Sequence, residues 1–302
     1  MERFEITEKE RKARLDMFLL EMYPEHTRSY LQKEIKAGNV LLNGLKTRPG
    51  VSLKPGDTVD AEFSEPEEPE VLPEDIPLSI VYEDQDVILV DKPKGMVVHP
   101  APGHTSGTLV NALLYHCTDL SGINGVLRPG IVHRIDKDTT GIVIACKNDK
   151  AHISLSEQLA AHTVTRRYYA LVHGNFRDDE GTVDAPIGRN RTDRKKMAVD
   201  PSGKEAVTHY RVLERFGQYT FIECRLETGR THQIRVHMSS IGHPLLGDLQ
   251  YGSGKSPFHT EGQCLHAYVL GFIHPSAGEY MEFTSGLPDY FKKILDTLRK
   301  DC

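Results

Sequence analysis

The sequence lacks the features that mark an exported, membrane-spanning or disulfide-bonded protein. Its 302 residues include five cysteines, which are odd in number, widely spaced and without a Cys-x-x-Cys pair. Neither a disulfide framework nor a zinc site is therefore expected. Residues 1–16 alternate acidic and basic side chains without an apolar core, and no apolar run reaches membrane-spanning length. We expect a cytoplasmic protein that has no contact with membranes.

The sequence also lacks an excess of positive charge. Its 37 lysines and arginines face 43 aspartates and glutamates, a formal net charge of −6. Net charge is a sum, however, so a local basic surface can still bind phosphate. The acidic, proline-rich run at residues 65–75 reads as an extended segment, because prolines block regular pairing and like charges repel. It predicts a linker at residues 65–76 between an N-terminal domain, residues 1–64, and a larger one, residues 77–302.

A metal-binding motif is missing as well, despite fifteen histidines. His232 and His237 are five residues apart rather than four, and no His-Glu-x-x-His sequence occurs. We therefore expect no metal.

The larger domain shows alternating strand-like and helix-like patterns. Strands that follow one another through short turns, as in residues 206–227, indicate antiparallel pairing rather than a repeated βαβ unit. We predict an α+β fold with a mixed, mainly antiparallel sheet. The predicted strands are 78–82, 87–90, 141–146, 168–172, 206–213, 219–227, 265–272 and 280–283, and the predicted helices are 108–116, 151–161, 231–241 and 288–300.

The N-terminal domain is predicted to hold two helices and a hairpin. Leu15, Phe18 and Leu19 form a helical stripe, a second helix is capped by Thr27, and residues 40–44 end in an Asn-Gly hairpin signal. Polar side chains lie along one side of the second helix, namely Arg28, Gln32, Lys33 and Lys36. Such a face can bind phosphates by counterion release. On charge pattern alone, an ordinary solvated surface is the better interpretation.

Residues 133–141 (HRIDKDTTG) place ionisable groups directly before the apolar run 142–146, which reads as a buried strand. A carboxylate among these cations stays ionised at neutral pH, and an ionised aspartate can act as a nucleophile or general base. The alternative is that Asp136 or Asp138 closes a turn, which is what most aspartates near a glycine do.

Four segments in order carry a family resemblance: residues 87–100, 133–141, 166–172 and 229–237. The second is similar to a His-Arg-Leu-Asp-x-x-Thr-Ser-Gly signature, with Ile135 for Leu and Thr140 for Ser. Together they resemble the RluA/RluD-type RNA pseudouridine synthases. Residues 11–63 are similar to the RNA-binding module named after small-subunit ribosomal protein four, which often precedes such catalytic domains.

The resemblance implies roles for particular residues. Asp136 would be the essential catalytic carboxylate, Tyr168 would pack against the target uracil and offer a hydroxyl for proton transfer, and Arg230 would form a salt bridge with Asp136. Without the resemblance, Tyr168 is more simply a core aromatic and Arg230 a surface arginine. The implied substrate-binding residues are His133, Arg134, Thr139 and Ile234, with Arg134 filling the gap left by a flipped uridine.

The basic segment at residues 189–196 is a solvated loop by default, but in an RNA-modifying enzyme Arg194, Lys195 and Lys196 become candidate phosphate ligands. The implied reaction breaks the bond from ribose C1′ to uracil N1 and rejoins C1′ to C5, so no cofactor is expected. Attack on C1′, removal of a C2′ proton and addition to uracil C6 all remain open as routes.

The implied partner is RNA, with large-subunit ribosomal RNA first and transfer RNA second, bound by a monomer. A non-catalytic RNA-binding or ribosome-assembly factor is the alternative from another class, because basic surfaces fit both. A nucleosidase that releases free uracil is the third interpretation. The joint presence of Asp136, Tyr168 and Arg230 favours the synthase.

Overall fold

The computed structural model describes residues 2–63, 71–101, 103–125, 127–252, 256–258 and 260–300. The chain divides into two compact units, Met1–Glu68 and Pro69–Cys302. Residues 65–70 of the predicted linker lie outside the described residues. Within the described residues, no helix has the length and hydropathy needed to cross a membrane.

The N-terminal unit packs two helices against a small antiparallel sheet with the strand order β1-β4-β2-β3. Its elements are β1 (Glu2–Glu5), α1 (Leu15–Met22), α2 (Arg28–Ala37), β2 (Val40–Leu42), β3 (Leu45–Lys46) and β4 (Thr58–Ala61). The predicted cap is confirmed, because the Thr27 hydroxyl accepts a hydrogen bond from the Tyr30 N–H. The Asn43-Gly44 turn is also confirmed, with positive φ angles of 53° and 74°.

The larger unit is an α+β domain whose described residues form eleven strands and four helices. The strands are β5 (Ile80–Glu83), β6 (Val87–Lys92), β7 (Thr140–Cys146), β8 (Thr165–His173), β9 (Glu180–Asp184), β10 (Ile187–Arg189), β11 (Met197–Val199), β12 (Val207–Phe216), β13 (Tyr219–Leu226), β14 (Leu265–Ile273) and β15 (Tyr280–Thr284). The helices are α3 (Leu109–His116), α4 (Asp149–Ala160), α5 (Gln233–Ser240) and α6 (Asp289–Lys300).

Nine strands form one sheet in the order β5-β6-β7-β14-β8-β13-β12-β9, with β15 also paired to β14, while β10 and β11 form a separate hairpin. Every pairing is antiparallel except that of β7 with β14, so the predicted mixed, mainly antiparallel sheet is confirmed. Gly141 lies at this parallel junction with φ 112°, and a Cβ there would lie 2.2 Å from the Ala267 carbonyl oxygen. Only glycine fits this close approach.

The centre of the sheet is buried on both faces. Alternate residues of β7 point to opposite sides, so Ile142 and Ile144 pack towards α4 while Val143 and Ala145 pack towards α3 and α5. All seven residues of β7 are buried. This rigid strand follows directly on residues 133–139, and it therefore holds the loop that carries Asp136.

Candidate active site

Asp136 lies in the loop before β7, at a cleft of about 430 Å³. The Asp136 carbonyl oxygen accepts a hydrogen bond from the Thr139 N–H at 3.1 Å, which closes a turn, while the side chain keeps 23% of its surface exposed. Arg134, Tyr168 and Arg230 line the same cleft. The turn and the exposed carboxylate coexist, so closing the turn does not remove the side chain from chemistry.

The arginine that pairs with Asp136 is Arg235. Its Nη1 donates to Oδ2 of Asp136 at 2.8 Å. Arg230 instead donates from Nε to the Glu205 carbonyl oxygen at 2.8 Å. The predicted salt bridge between Arg230 and Asp136 is therefore wrong, because the arginine that pairs with Asp136 is Arg235. Arg230 still lines the cleft, so a part for it in the reaction stays a prediction.

The start of α5 explains the difference. The helix was predicted from residue 231 but begins at Gln233, because the Gln233 side chain ties the preceding loop down. Its Oε1 accepts from the Arg230 N–H and the Thr228 hydroxyl, and its Nε2 donates to the Val207 carbonyl oxygen. Arg230 thus belongs to a loop, and Arg235 is the arginine on the helix that faces Asp136.

Arg235 is held rigidly by a second carboxylate. Its Nε and Nη2 bind the two oxygens of Asp248 at 2.7 and 3.0 Å, a two-pronged pair in which the Asp248 side chain is fully buried. Burial alone would lower the pKa of Arg235, but the hydrogen bond and charge of Asp248 and the charge of Asp136 outweigh it and raise the pKa. A fixed, permanently charged guanidinium therefore orients Asp136.

His232 is a further neighbour of Asp136 that the sequence suggested only as a candidate metal ligand. It has a positive φ of 57°, unusual for a residue with a Cβ, and its Nε2 lies 3.8 Å from Oδ1 of Asp136. The Tyr251 hydroxyl accepts from the Met197 N–H and contacts Nδ1 of His232 at 2.7 Å. Nε2 is therefore the nitrogen of His232 that faces the carboxylate, while Nδ1 is occupied by Tyr251.

Tyr168 lies on β8 and is 8% exposed at the edge of the cleft. Burial raises the pKa of its hydroxyl, so the phenol stays protonated at neutral pH. Tyr169, the next residue on the strand, points to the opposite face and stacks on Tyr268 with ring centroids 3.7 Å apart. Tyr168 is thus both a core residue and a wall of the cleft, so the two interpretations made from the sequence are compatible.

The predicted substrate-binding residues all line the cleft, but they differ in exposure and in their hydrogen-bond partners. Arg134 is exposed at its mouth. Nε2 of His133 accepts from the Ile144 N–H at 3.0 Å, and desolvation followed by the charge of Arg166 lowers the pKa of His133 to about 4. Thr139 is buried and its hydroxyl accepts from Gln263, while Ile234 is a core residue. Their contacts with a substrate stay predictions.

Lys92 braces the loop from beneath. It is fully buried, and its Nζ donates to the carbonyl oxygens of Pro93, Met96 and Lys137 at 2.8, 2.9 and 3.0 Å. Three donors thus meet three acceptors, one of them directly after Asp136. Burial lowers the pKa of Lys92 to about 7, although the charges of Asp138, Asp136 and Asp91 oppose that shift, and the protonated form fixes the backbone that carries Asp136.

The predicted basic face of α2 is partly committed to the N-terminal unit itself. Asp16 is fully buried, and it accepts from Arg28 at 2.9 Å and from Gln32 at 2.6 Å. Lys33 and Lys36 are exposed. The two lysines are therefore the members of this face that are free to meet phosphate, while Arg28 and Gln32 also hold the fold together.

The basic segment at residues 189–196 is the tip of the β10–β11 hairpin. Arg194 and Lys195 are exposed, and Lys196 is partly so. The Lys195 carbonyl oxygen accepts from Nε2 of Gln250 at 3.0 Å, and Oε1 of Gln250 accepts from Arg235 at 3.3 Å. The basic loop is thus joined to the arginine that holds the catalytic candidate.

Asp84, Asp86 and His274 lie close enough together to share a cation. Nδ1 of His274, however, faces the N–H groups of Ser276 and Ala277 at 3.4 and 3.1 Å, so the imidazole proton is on Nε2, which donates to Asp84 at 2.8 Å. A metal on Nε2 would have to displace that proton while Nδ1 still accepts. The cluster therefore reads as a hydrogen-bonded link between two turns, and the absence of a metal stays a prediction.

Comparison with known proteins agrees with this fold and shows the family. Residues 86–240 match the family model for RNA pseudouridylate synthase, and residues 13–59 match that of the S4 domain. The chain belongs to the RNA pseudouridine synthase family and is an isomerase with an N-terminal S4 domain. The resemblance found in the sequence is thereby confirmed.

Individual relatives are similar over nearly their whole length. An uncharacterized RNA pseudouridine synthase of Bacillus subtilis, YlyB, is 54% identical, with 100% of both chains covered. Ribosomal large subunit pseudouridine synthase D of Zymomonas mobilis is 48% identical, covering 98% of this chain and 97% of its own. The structure of human RNA pseudouridylate synthase domain containing 1 superposes with a TM-score of 0.56 at 27% identity, covering 78% of this chain and 98% of its own.

Proposed function

We propose that this synthase isomerises uridines in the RNA of the large ribosomal subunit, with Asp136 as its essential carboxylate. Support for the substrate comes from the relatives called ribosomal large subunit pseudouridine synthase D, of Zymomonas mobilis and Pseudomonas aeruginosa, which are 48% and 46% identical to this chain. They cover 98% and 95% of it, so both the S4 domain and the catalytic domain are shared.

The observation that carries the catalytic assignment is the ion pair of Asp136 with Arg235. The guanidinium lies 2.8 Å from one carboxylate oxygen, and the side chain keeps 23% of its surface open to the cleft. A charge-assisted hydrogen bond of this length holds the carboxylate in one orientation. An oriented carboxylate can attack ribose C1′, remove a C2′ proton or add to uracil C6.

The cleft suits a base that has left its stack. Tyr168 supplies an aromatic wall beside Asp136, and Arg134 stands exposed at the mouth, where its planar guanidinium can stack into the gap left in the RNA. Flipping costs less in loops and single strands than in paired RNA. A uridine in a structured-RNA loop is therefore the proposed target.

Two basic surfaces, one on each unit, are proposed to contribute contacts with RNA. Lys33 and Lys36 of the S4 domain are exposed, as are Arg194 and Lys195 on the β10–β11 hairpin. Such contacts carry affinity and register rather than base identity. Gln250 hydrogen-bonds both the Lys195 backbone in the hairpin and the side chain of Arg235. RNA bound at the hairpin would therefore contact a segment that is linked to the arginine beside Asp136.

The experiment is to map pseudouridines in ribosomal and transfer RNA of a strain that lacks the protein. We expect losses in large-subunit ribosomal RNA that wild-type protein and Asp138→Asn restore and Asp136→Asn does not. Asp138 is the matched control because it is the other carboxylate of the same loop. Losses confined to transfer RNA would contradict the proposed substrate. An unchanged map with retained RNA binding would instead support a non-catalytic factor, and free uracil among the products would support a nucleosidase.

A further inference from the structure

Besides Arg134, Arg230 and Arg235, a further arginine lines the cleft, and it lies on β8. Arg166 lies two residues before Tyr168, and because alternate residues of a strand share a face, both side chains point the same way. Arg166 is 7% exposed and lines the cleft with Asp136. Arg167 lies on the other face of the strand.

The described residues satisfy only part of the hydrogen-bonding capacity of Arg166. Its Nη2 donates to the Glu227 carbonyl oxygen at 2.8 Å, whereas its buried Nε has no hydrogen-bond partner among the described residues. Within that same part of the chain, no carboxylate forms a salt bridge with Arg166. A buried cation without a compensating anion is costly. The missing partner is therefore expected to come from a ligand.

The surroundings make room for this guanidinium and leave it without a negative neighbour. A Cβ on Gly229 would lie 2.4 Å from Nη1 of Arg166, so the glycine leaves the space that the arginine fills. Tyr168 is kept protonated by burial, and His133 is kept neutral, with its pKa lowered to about 4. Burial, together with the charge of Arg230, lowers the pKa of Arg166, but a guanidinium stays protonated at neutral pH, so its positive charge remains uncompensated in the cleft.

The reaction supplies a transient anion at this place. When the bond from C1′ to N1 breaks, its electron pair stays on the uracil and spreads over N1, O2 and O4. We propose that Arg166 stabilises this uracil anion by donating to one of its carbonyl oxygens, an inference that rests on the proposed function. C5 then bonds to C1′, the C5 proton leaves and N1 takes up a proton, so the sum is an isomerisation without a co-reactant.

The uracil base is favoured over an RNA phosphate as the partner of Arg166 because Arg166 lies deep in the cleft. Arg166 is nearly buried beside Tyr168, whereas the exposed arginine of the cleft, Arg134, stands at its mouth. Phosphates remain on the backbone outside the cleft, while the flipped base is the part that enters. A donor aimed at charge that develops in the transition state accelerates the reaction more than it strengthens binding.

The test compares a target-loop RNA that contains uridine with the same RNA containing 5-fluorouridine. Fluorine withdraws electrons, so 5-fluorouracil leaves as a more stable anion that needs less help. In single-turnover loss of the N-glycoside, we expect Arg166→Met to slow uridine about 100-fold or more. The loss with 5-fluorouridine should be clearly smaller, and the RNA dissociation constant should be unchanged. Arg166→Lys should fall between, and Arg167→Met, the matched control, should stay near wild type.

Equal slowing of both substrates would overturn the proposal. Weaker RNA binding with a shallower salt dependence would assign Arg166 to a phosphate instead. If Arg166→Met does not fold, as judged by thermal unfolding, the ratio of the two substrates in Arg166→Lys decides the question. A wild-type protein that forms no pseudouridine would refute the proposed function itself, whereas an active wild type with equal ratios in the variants refutes the role of Arg166 alone.

Discussion

Nη1 of Arg235 lies 2.8 Å from Oδ2 of Asp136, while Nε and Nη2 of the same guanidinium grip the buried Asp248. The two contacts have different roles. Asp248 fixes the plane of the arginine, and the remaining nitrogen orients the carboxylate at the cleft. Loss of the planar fork should therefore disturb Asp136 even where the charge is kept.

Arg235→Lys should accordingly lower single-turnover pseudouridine formation about 100-fold or more while RNA affinity stays close to wild type. A lysine cannot satisfy Asp248 and Asp136 together. Arg230→Lys is the matched control, since Arg230 hydrogen-bonds the Glu205 backbone, and it should lose much less activity. A larger loss of activity in Arg230→Lys than in Arg235→Lys would indicate that Asp136 pairs with Arg230, as inferred from the sequence.

Lys92→Met should destabilise the larger unit, because it keeps much of the side-chain volume but leaves three carbonyl oxygens without the donor that the buried Lys92 supplies. We expect the free energy of unfolding to fall by about 3 kcal/mol or more in denaturant titration. Lys94→Met is the control, since among the described residues Lys94 makes one hydrogen bond, at 3.3 Å to Gly262, and one contact with the face of the Tyr290 ring. Equal effects of the two substitutions would show that the brace beneath residue 137 contributes nothing particular.

Acidification should weaken the fold through its neutral histidines. Burial lowers the pKa of His99 to about 4, with the charges of Arg128 and Arg134 acting the same way, and His99 is 6% exposed. In the unfolded chain the pKa of His99 is near 6.5. Between about pH 6.5 and about pH 4 the unfolded chain therefore binds more protons than the folded protein does. The free energy of unfolding falls as the pH drops through this window. The contribution of His99 is at most about 3 kcal/mol.

The check is unfolding free energy against pH for wild type, His99→Asn and His104→Asn. His99→Asn should show a shallower decline across this window, whereas substitution of the exposed His104 should leave the slope of wild type. Identical slopes in all three proteins would mean that His99 is protonated equally in the folded and unfolded states.

The S4 domain should contribute phosphate contacts through Lys33 and Lys36. Replacing both by alanine should weaken RNA binding at low salt and reduce the slope of log affinity against log salt by about 2. Lys292→Ala with Lys293→Ala on α6 removes the same charge from exposed helix positions and serves as the control. If both pairs change the slope equally, the binding effect is one of overall charge.

Much of the fold follows from local patterns in the sequence. All eight predicted strands and all four predicted helices of the larger unit are present, because apolar alternation and helical periodicity report burial directly. The short strands β9, β10 and β11 were not predicted. β10 and β11 have three residues each and pair with one another, so too few residues alternate to give a signal.

The site was predictable where a motif is continuous and failed where the partners are distant. Asp136 stands out within one short segment. Arg235 did not, because a charged residue on a helix is usually solvated, and its burial depends on Asp248, which follows 13 residues later. Arg166 had an available signal, since its spacing from Tyr168 places both on one strand face, but its missing partner is visible only in three dimensions.

The most direct test of the catalytic assignment is tritium release from uracil C5 of labelled RNA by Asp136→Asn, measured beside wild type and Asp138→Asn. Asparagine keeps the shape of the side chain but can neither attack nor accept a proton as a carboxylate does. We predict no release above background from Asp136→Asn, with folding and RNA binding retained, and release close to wild type from Asp138→Asn. Turnover by Asp136→Asn near the wild-type rate would contradict the account.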